Sequence, residues 1–108
     1  MAIPHAKPGE VIDIRPLGSA LAEARTTTLV KTKTLEIIRL VIPSGKDIPA
    51  HQVHGEITVL CLEGRVAFTA GNTTRDLKAG QLLYLSSDEP HSLHAMEDAS
   101  VLVTILLG

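Results

Sequence analysis

From Thr26 onward the chain alternates short apolar, β-branched runs with turn-forming residues. Residues 27–33 and 35–42 are rich in Thr, Val, Ile and Leu, and Pro43, Ser44 and Gly45 close the second run, a pattern that predicts strands bounded by turns. Residues 57–62 form another run that stops at Glu63 and Gly64. In 65–70, Val66, Phe68 and Ala70 alternate with Arg65, Ala67 and Thr69, and Gly71 with Asn72 predicts a hairpin turn into 73–77. Runs at 81–85, 91–96 and 100–107 complete a series of about eight to ten strands, which predicts an all-β fold of the double-sheet jelly-roll kind. The run at 57–62 is apolar on both of its faces, with Ile57, Val59 and Cys61 on one and Thr58, Leu60 and Leu62 on the other. A chain of 108 residues has room for one core and cannot cover both faces itself, so this pattern predicts a homodimer.

The amino-terminal part reads differently. Residues 1–10 carry proline, glycine and charge with little periodicity and predict a loose tail, with His5 a solvated residue within it, ahead of a single domain over 11–108. Alternation at 11–14 predicts a short edge strand. Leu21, Ala22 and Ala24 behind Ser19 predict a short helical turn capped by that serine.

Composition narrows the function classes. Ten basic and twelve acidic residues give a net charge of -2, and the basic ones are scattered, so the electrostatic footprint of a nucleic-acid partner is missing. With no Trp and 2% aromatic residues, stacking platforms for bases are few. Cys61 is the single cysteine, which excludes an intrachain disulfide and a cysteine-based zinc site. Pro4, Pro8 and Pro16 with interspersed charge leave no signal-peptide apolar region, and no run reaches the length of a membrane span. No membrane partner is expected, and the expected location is the cytoplasm.

The chemistry concentrates in four histidines, His51 with His54 and His91 with His94. Side chains alternate along a strand, so His91, Leu93 and Ala95 share one face while Ser92 and His94 share the other. The same parity sets His51 with Val53 and Gln52 with His54, before Gly55 interrupts the strand and leaves the direction of His54 and Glu56 open. Tyr84, the only phenol, is a further polar candidate. Cys61, inside an apolar run, reads as an inert buried thiol. Glu63 belongs to the turn before Gly64, and Glu97 with Asp98 reads as a solvated hairpin.

Two glycine–histidine frames run through these positions. Five residues separate Gly45 from His51, with Gly64 following, and ten separate Gly80 from His91. These frames resemble the two signature motifs of the cupin barrels, over roughly residues 40–107. In the metal-binding members the first motif adds a second His and a Glu or Gln, at positions that are Val53 and Ile57 here; the second has Pro, Gly and Asn where this chain has Ser86, Asp88 and Ala95. The resemblance implies a cupin double-stranded β-helix, a jelly-roll barrel of the RmlC-like kind, in which His51 and His91 point inward. It also implies a first-row divalent metal, iron, nickel, manganese, copper or zinc, held by His51 and His91; the turn at Gly55 makes His54 or Glu56 the candidate third ligand. Against that stands a metal-free arrangement, with His51 and His91 as a hydrogen-bonded pair in an aliphatic cavity. The first expectation is therefore a barrel that binds a small organic molecule through His51, His91 and Tyr84. The alternative is a metal-dependent enzyme of dioxygenase or isomerase type. A metal-free isomerase or lyase would use His51 or His91 as general base and Tyr84 as acid.

Overall fold

The computed structural model describes residues 5–107. Nine strands follow in order: β1 (Thr27–Lys31), β2 (Leu35–Ile42), β3 (Asp47–His51), β4 (Ile57–Glu63), β5 (Arg65–Ala70), β6 (Thr73–Lys78), β7 (Leu82–Leu85), β8 (His91–Ala95) and β9 (Ala99–Leu106). They form two antiparallel sheets, ordered β1-β2-β9-β4-β7 and β3-β8-β5-β6. Among the described residues no strand pairing joins the two, so the closed barrel expected from the motifs is an open pair of facing sheets. The edges explain it: β7 has only four residues, and β3 carries Pro49, which has no N–H to offer a further ladder.

The sheets face each other with aliphatic side chains. Val59, Cys61 and Val101 from one sheet meet Val66, Phe68 and Ala95 from the other, all at most 1% exposed. Crossings of the chain from sheet to sheet hold the layers in place. Gly64 carries the chain from β4 to β5 at φ +79°, so close to the next crossing that a Cβ there would lie 2.2 Å from the Asp98 carbonyl oxygen; only glycine fits. Residues 96–98 likewise pass from β8 in one sheet to β9 in the other, so Glu97 and Asp98 make a cross-sheet connection and not the expected hairpin. The Asp98 carboxylate accepts the Ser44 N–H at 2.8 Å and ties this crossing to the Gly45 turn.

The outer face of the larger sheet carries a buried charge cluster with no counterpart in the strand pattern. Arg39 is 7% exposed and donates to the carbonyls of Ile14 and Arg15 at 3.2 and 2.6 Å. Glu63 accepts the N–H groups of Leu17 and Gly18 and the Ser100 hydroxyl. Burial works to raise the pKa of Glu63, yet these hydrogen bonds and the Arg39 charge outweigh it and hold the carboxyl below its ordinary value. Glu63 is thus an anchor for the amino-terminal segment, beyond its place at the end of a strand.

This anchoring accounts for two departures from the expected elements. Residues 11–14 form no strand, because the Ile14 carbonyl goes to the Arg39 guanidinium and not to a ladder. The helical turn is a 3-10 helix, Gly18–Glu23, with Leu17 at its N-cap and no side-chain cap; Glu63 caps it from outside, and the Ser19 cap is not formed. Residues 1–4 of the expected tail lie outside the described residues. Ala6 donates its N–H to the Leu29 carbonyl at 2.8 Å, which attaches the tail to β1. No helix among the described residues is long and apolar enough to cross a membrane.

Candidate functional site

β3 and β8 bring the two frame histidines together. β3 is an edge strand whose register slips between Ile48 and His51, after which His51 stands opposite His91. The expected strand through Val53 therefore ends at His51; the proline and the slip conceal β3 from simple alternation. The imidazole centroids of His51 and His91 are 4.3 Å apart. Phe68 on β5 lies parallel to His91 at 5.6 Å. His91 is 5% exposed, while His51 is exposed at the mouth.

Both rings line a cavity of about 140 Å³ between the sheets, walled by Ile38, Leu40, Ile57, Val59, Val103 and Ile105 among others. Val53 and Ile57, which stand where the resemblance places further ligands, also line it. The four motif positions 51, 53, 57 and 91 therefore converge on one space. Burial lowers the pKa of His91 and the neighbouring His51 ring adds to the effect, against a smaller opposing contribution from the hydrogen bond to the Glu89 carbonyl. His91 therefore resides in a medium that disfavours a proton.

The remaining candidates lie elsewhere, and the loop after β3 shows why. Gly55 passes over the end of β9 so closely that a Cβ would sit 1.8 Å from the Leu106 carbonyl oxygen. Its N–H donates to Ser87 Oγ at 3.0 Å, and the Asp88 N–H donates to the Val53 carbonyl at 3.0 Å. His54 is thereby turned outward, exposed, with Nδ1 3.3 Å from Asp88 Oδ1. Glu56 accepts the Tyr84 hydroxyl. Tyr84 is 58% exposed on the outer face of β7, where Leu83 and Leu85 take the inward positions, so the phenol does not reach the cavity. Its bond to Glu56 raises its pKa, which keeps the phenol protonated and engaged. His94 pairs with Asp47 at 2.6 Å on the outer face of the smaller sheet, as strand parity requires.

The loop before β8 completes the frame. Asp88 occupies the place where the resemblance has glycine and adopts φ 65°, a left-handed conformation that aspartate tolerates better than most residues. Its carbonyl accepts from the Gln52 amide at 3.0 Å. The loops flanking the two histidines are thus laced to each other.

The donor set does not fit a tightly held metal. Two imidazoles face the cavity, whereas a firmly bound ion takes three or four protein ligands. Among the described residues no group of three or more His, Cys, Asp or Glu side chains is placed to hold an ion. Cys61 is buried, and burial raises its thiol pKa, which makes it a poor ligand and nucleophile.

Similar proteins agree with this architecture. The cupin domain profile matches residues 38–107. A conserved protein of unknown function from Streptococcus pyogenes is similar over 100% of this chain and 96% of its own, with 22% identity and a TM-score of 0.77. A cupin superfamily protein from Desulfitobacterium hafniense is similar over 95% of this chain and 100% of its own, with 20% identity and a TM-score of 0.79. A predicted oxalate decarboxylase from Thermotoga maritima is similar over 77% of this chain and 79% of its own, with 24% identity and a TM-score of 0.69. At these identities the likeness shows the fold alone. No curated protein matches the chain. With the domain profile spanning both histidine frames and the sheets arranged around them, the chain belongs to the cupin family.

Proposed function

We propose that the chain is a binding protein for a small, largely apolar organic molecule held between the sheets at His51 and His91. The observation that carries this is the cavity itself: about 140 Å³, apolar on its walls, with two imidazoles as its polar side chains among the described lining residues. An apolar cavity of about 150 Å³ is known to accept a benzene-sized guest, and sites that bind small molecules combine apolar walls with a few placed polar groups. The alternative, a metal-dependent enzyme, lacks a third donor facing the same space. Calorimetric titration with benzene-sized molecules tests the proposal. Saturable binding at one molecule per chain that is lost in Val59→Phe, which fills the cavity, supports it. Binding that survives this change overturns it, as does one equivalent of metal that resists mild chelation.

A second copy of the chain covers the outer face of the larger sheet in this proposal. Leu60 stands between Leu82 and Leu102 across the strands, and Leu82, Tyr84 and Leu106 are 64%, 58% and 52% exposed. A compact monomer of this mass exposes about 5,800 Å², whereas this chain exposes 6837 Å². The extended amino-terminal segment, with Val11 96% exposed, shares in that surplus, so the exposed leucines of the sheet carry the pairing. Light scattering at micromolar concentration should give a dimer that Leu60→Lys dissociates; a monomeric wild type contradicts the pairing.

A further inference from the structure

We infer that the cavity selects compact, uncharged molecules carrying one hydrogen-bond donor, with phenol as the type: an apolar body of benzene size and a single O–H for the histidine pair. The inference rests on the cavity being a binding site and names the chemistry that it accepts.

The far side of each imidazole sets the polarity of the site. His51 Nδ1 lies 3.0 Å from the carbonyl oxygen of Pro49, and His91 Nδ1 lies 3.0 Å from that of Glu89. In both cases the carbonyl belongs to the residue two positions earlier. A carbonyl oxygen can only accept, so each Nδ1 carries the proton, and each neutral ring keeps its lone pair on Nε2. Among the described residues neither Nε2 has a hydrogen-bond partner. With the ring centroids 4.3 Å apart, both acceptors are within reach of one guest.

The walls decide the rest. Apart from the histidines the described lining residues are apolar, so a cationic guest meets no carboxylate. An anionic guest meets no lysine or arginine among the described lining residues. Leaving either charge uncompensated in such a space is costly. A neutral donor satisfies a lone pair and leaves its apolar body to the apolar walls, whereas an isosteric guest without a donor leaves the acceptor of the buried His91 ring unmet. The volume of about 140 Å³ limits the body to one small ring or a short branched chain.

The test compares phenol, anisole, benzene and benzoate by calorimetry on the full chain, at a pH above the ordinary imidazole range. The expected order is phenol first, about tenfold tighter than anisole or benzene, with benzoate weakest. Equal affinity for phenol and anisole overturns the donor requirement while leaving the cavity a binding site. Tighter binding of benzoate makes the site an anion pocket and overturns the inference. Failure of all four overturns the binding function together with it. Histidine nitrogen NMR gives a second readout that needs no variant. Both Nε2 resonances should be of the unprotonated type in the free protein and move on addition of phenol; protonated Nε2 on both rings contradicts the assignment of acceptors.

Discussion

Where β4 turns into β5, Cys61, Val66, Ala95, Ala99 and Val101 have no measurable exposure, and backbone approaches backbone so closely that Gly64 has no room for a methyl group. Toward the other end of the same interior, β4, β5, β8 and β9 also line a cavity of about 140 Å³. The same strands supply both regions. The difference lies in what secures them. The sealed end is held by the cross-sheet connections that follow β2, β4 and β8 and by the Asp98 bond to Ser44. The open end is held by β3, a proline-bearing edge strand with a register slip, and by loops laced through Asp88, Gln52 and Ser87. A small fold can thus place its stability at one end and leave the other under-packed for a ligand.

Changes to the packed interior and at the sealed side should cost folding free energy. Phe68→Ala removes the largest fully buried side chain, one that also forms part of the cavity wall, and is expected to destabilise the protein by about 3–5 kcal/mol in denaturant unfolding. Gly64→Ala comes next, at about 1–3 kcal/mol, because it combines φ +79° with a backbone clash. Gly45→Ala provides the control, since its φ of +81° is similar but nothing lies within 4 Å of the added Cβ. It should cost less than Gly64→Ala; equal losses would show that the close crossing is not what demands glycine.

The open side should behave in the opposite way. His91→Leu removes a buried ring whose one hydrogen bond among the described residues is to the Glu89 carbonyl, so stability should change by under about 1.5 kcal/mol while phenol binding disappears. The same variant sharpens the pH dependence. The folded-state pKa of His91 is lowered from its ordinary 6.5, so the unfolded chain binds the proton more readily. Its contribution is fully present above pH 6.5 and is lost as pH falls from there through the folded value. Glu63, with its pKa lowered from 4.5, acts in a lower window: its contribution is present above that value and is lost as pH falls through the folded one. His91→Leu should therefore flatten the upper part of the profile of melting temperature against pH and leave the lower part intact. A profile unchanged in the upper window would remove His91 from the account.

Much of this architecture is legible in the residues, for reasons that separate local from distant causes. The bounds of β2 and β5 and the inward face of β8 follow from alternation and turn formers, which act over a few residues. The glycine–histidine frames bring His51, Val53, Ile57 and His91 to one space because each glycine answers a turn or a close approach. What alternation misses is tertiary. The outward turn of His54 and Glu56 depends on Gly55 passing over the Leu106 carbonyl, and the Arg39, Glu63 and Ser100 cluster joins three distant positions. Tyr84 was open to the same parity argument as His91, since Leu83 and Leu85 on either side of it claim the inward face.

The most direct test of the central claim, that the space between the sheets at His51 and His91 is the binding site, is methyl NMR during titration with phenol. Saturable shifts should appear at the Val59, Val103 and Ile105 methyl groups and at both imidazoles, and not at Val66 or Val101 in the sealed end or at Leu60 and Leu82 on the outer face. Saturable shifts confined to the outer-face leucines, or no saturation anywhere, would contradict it.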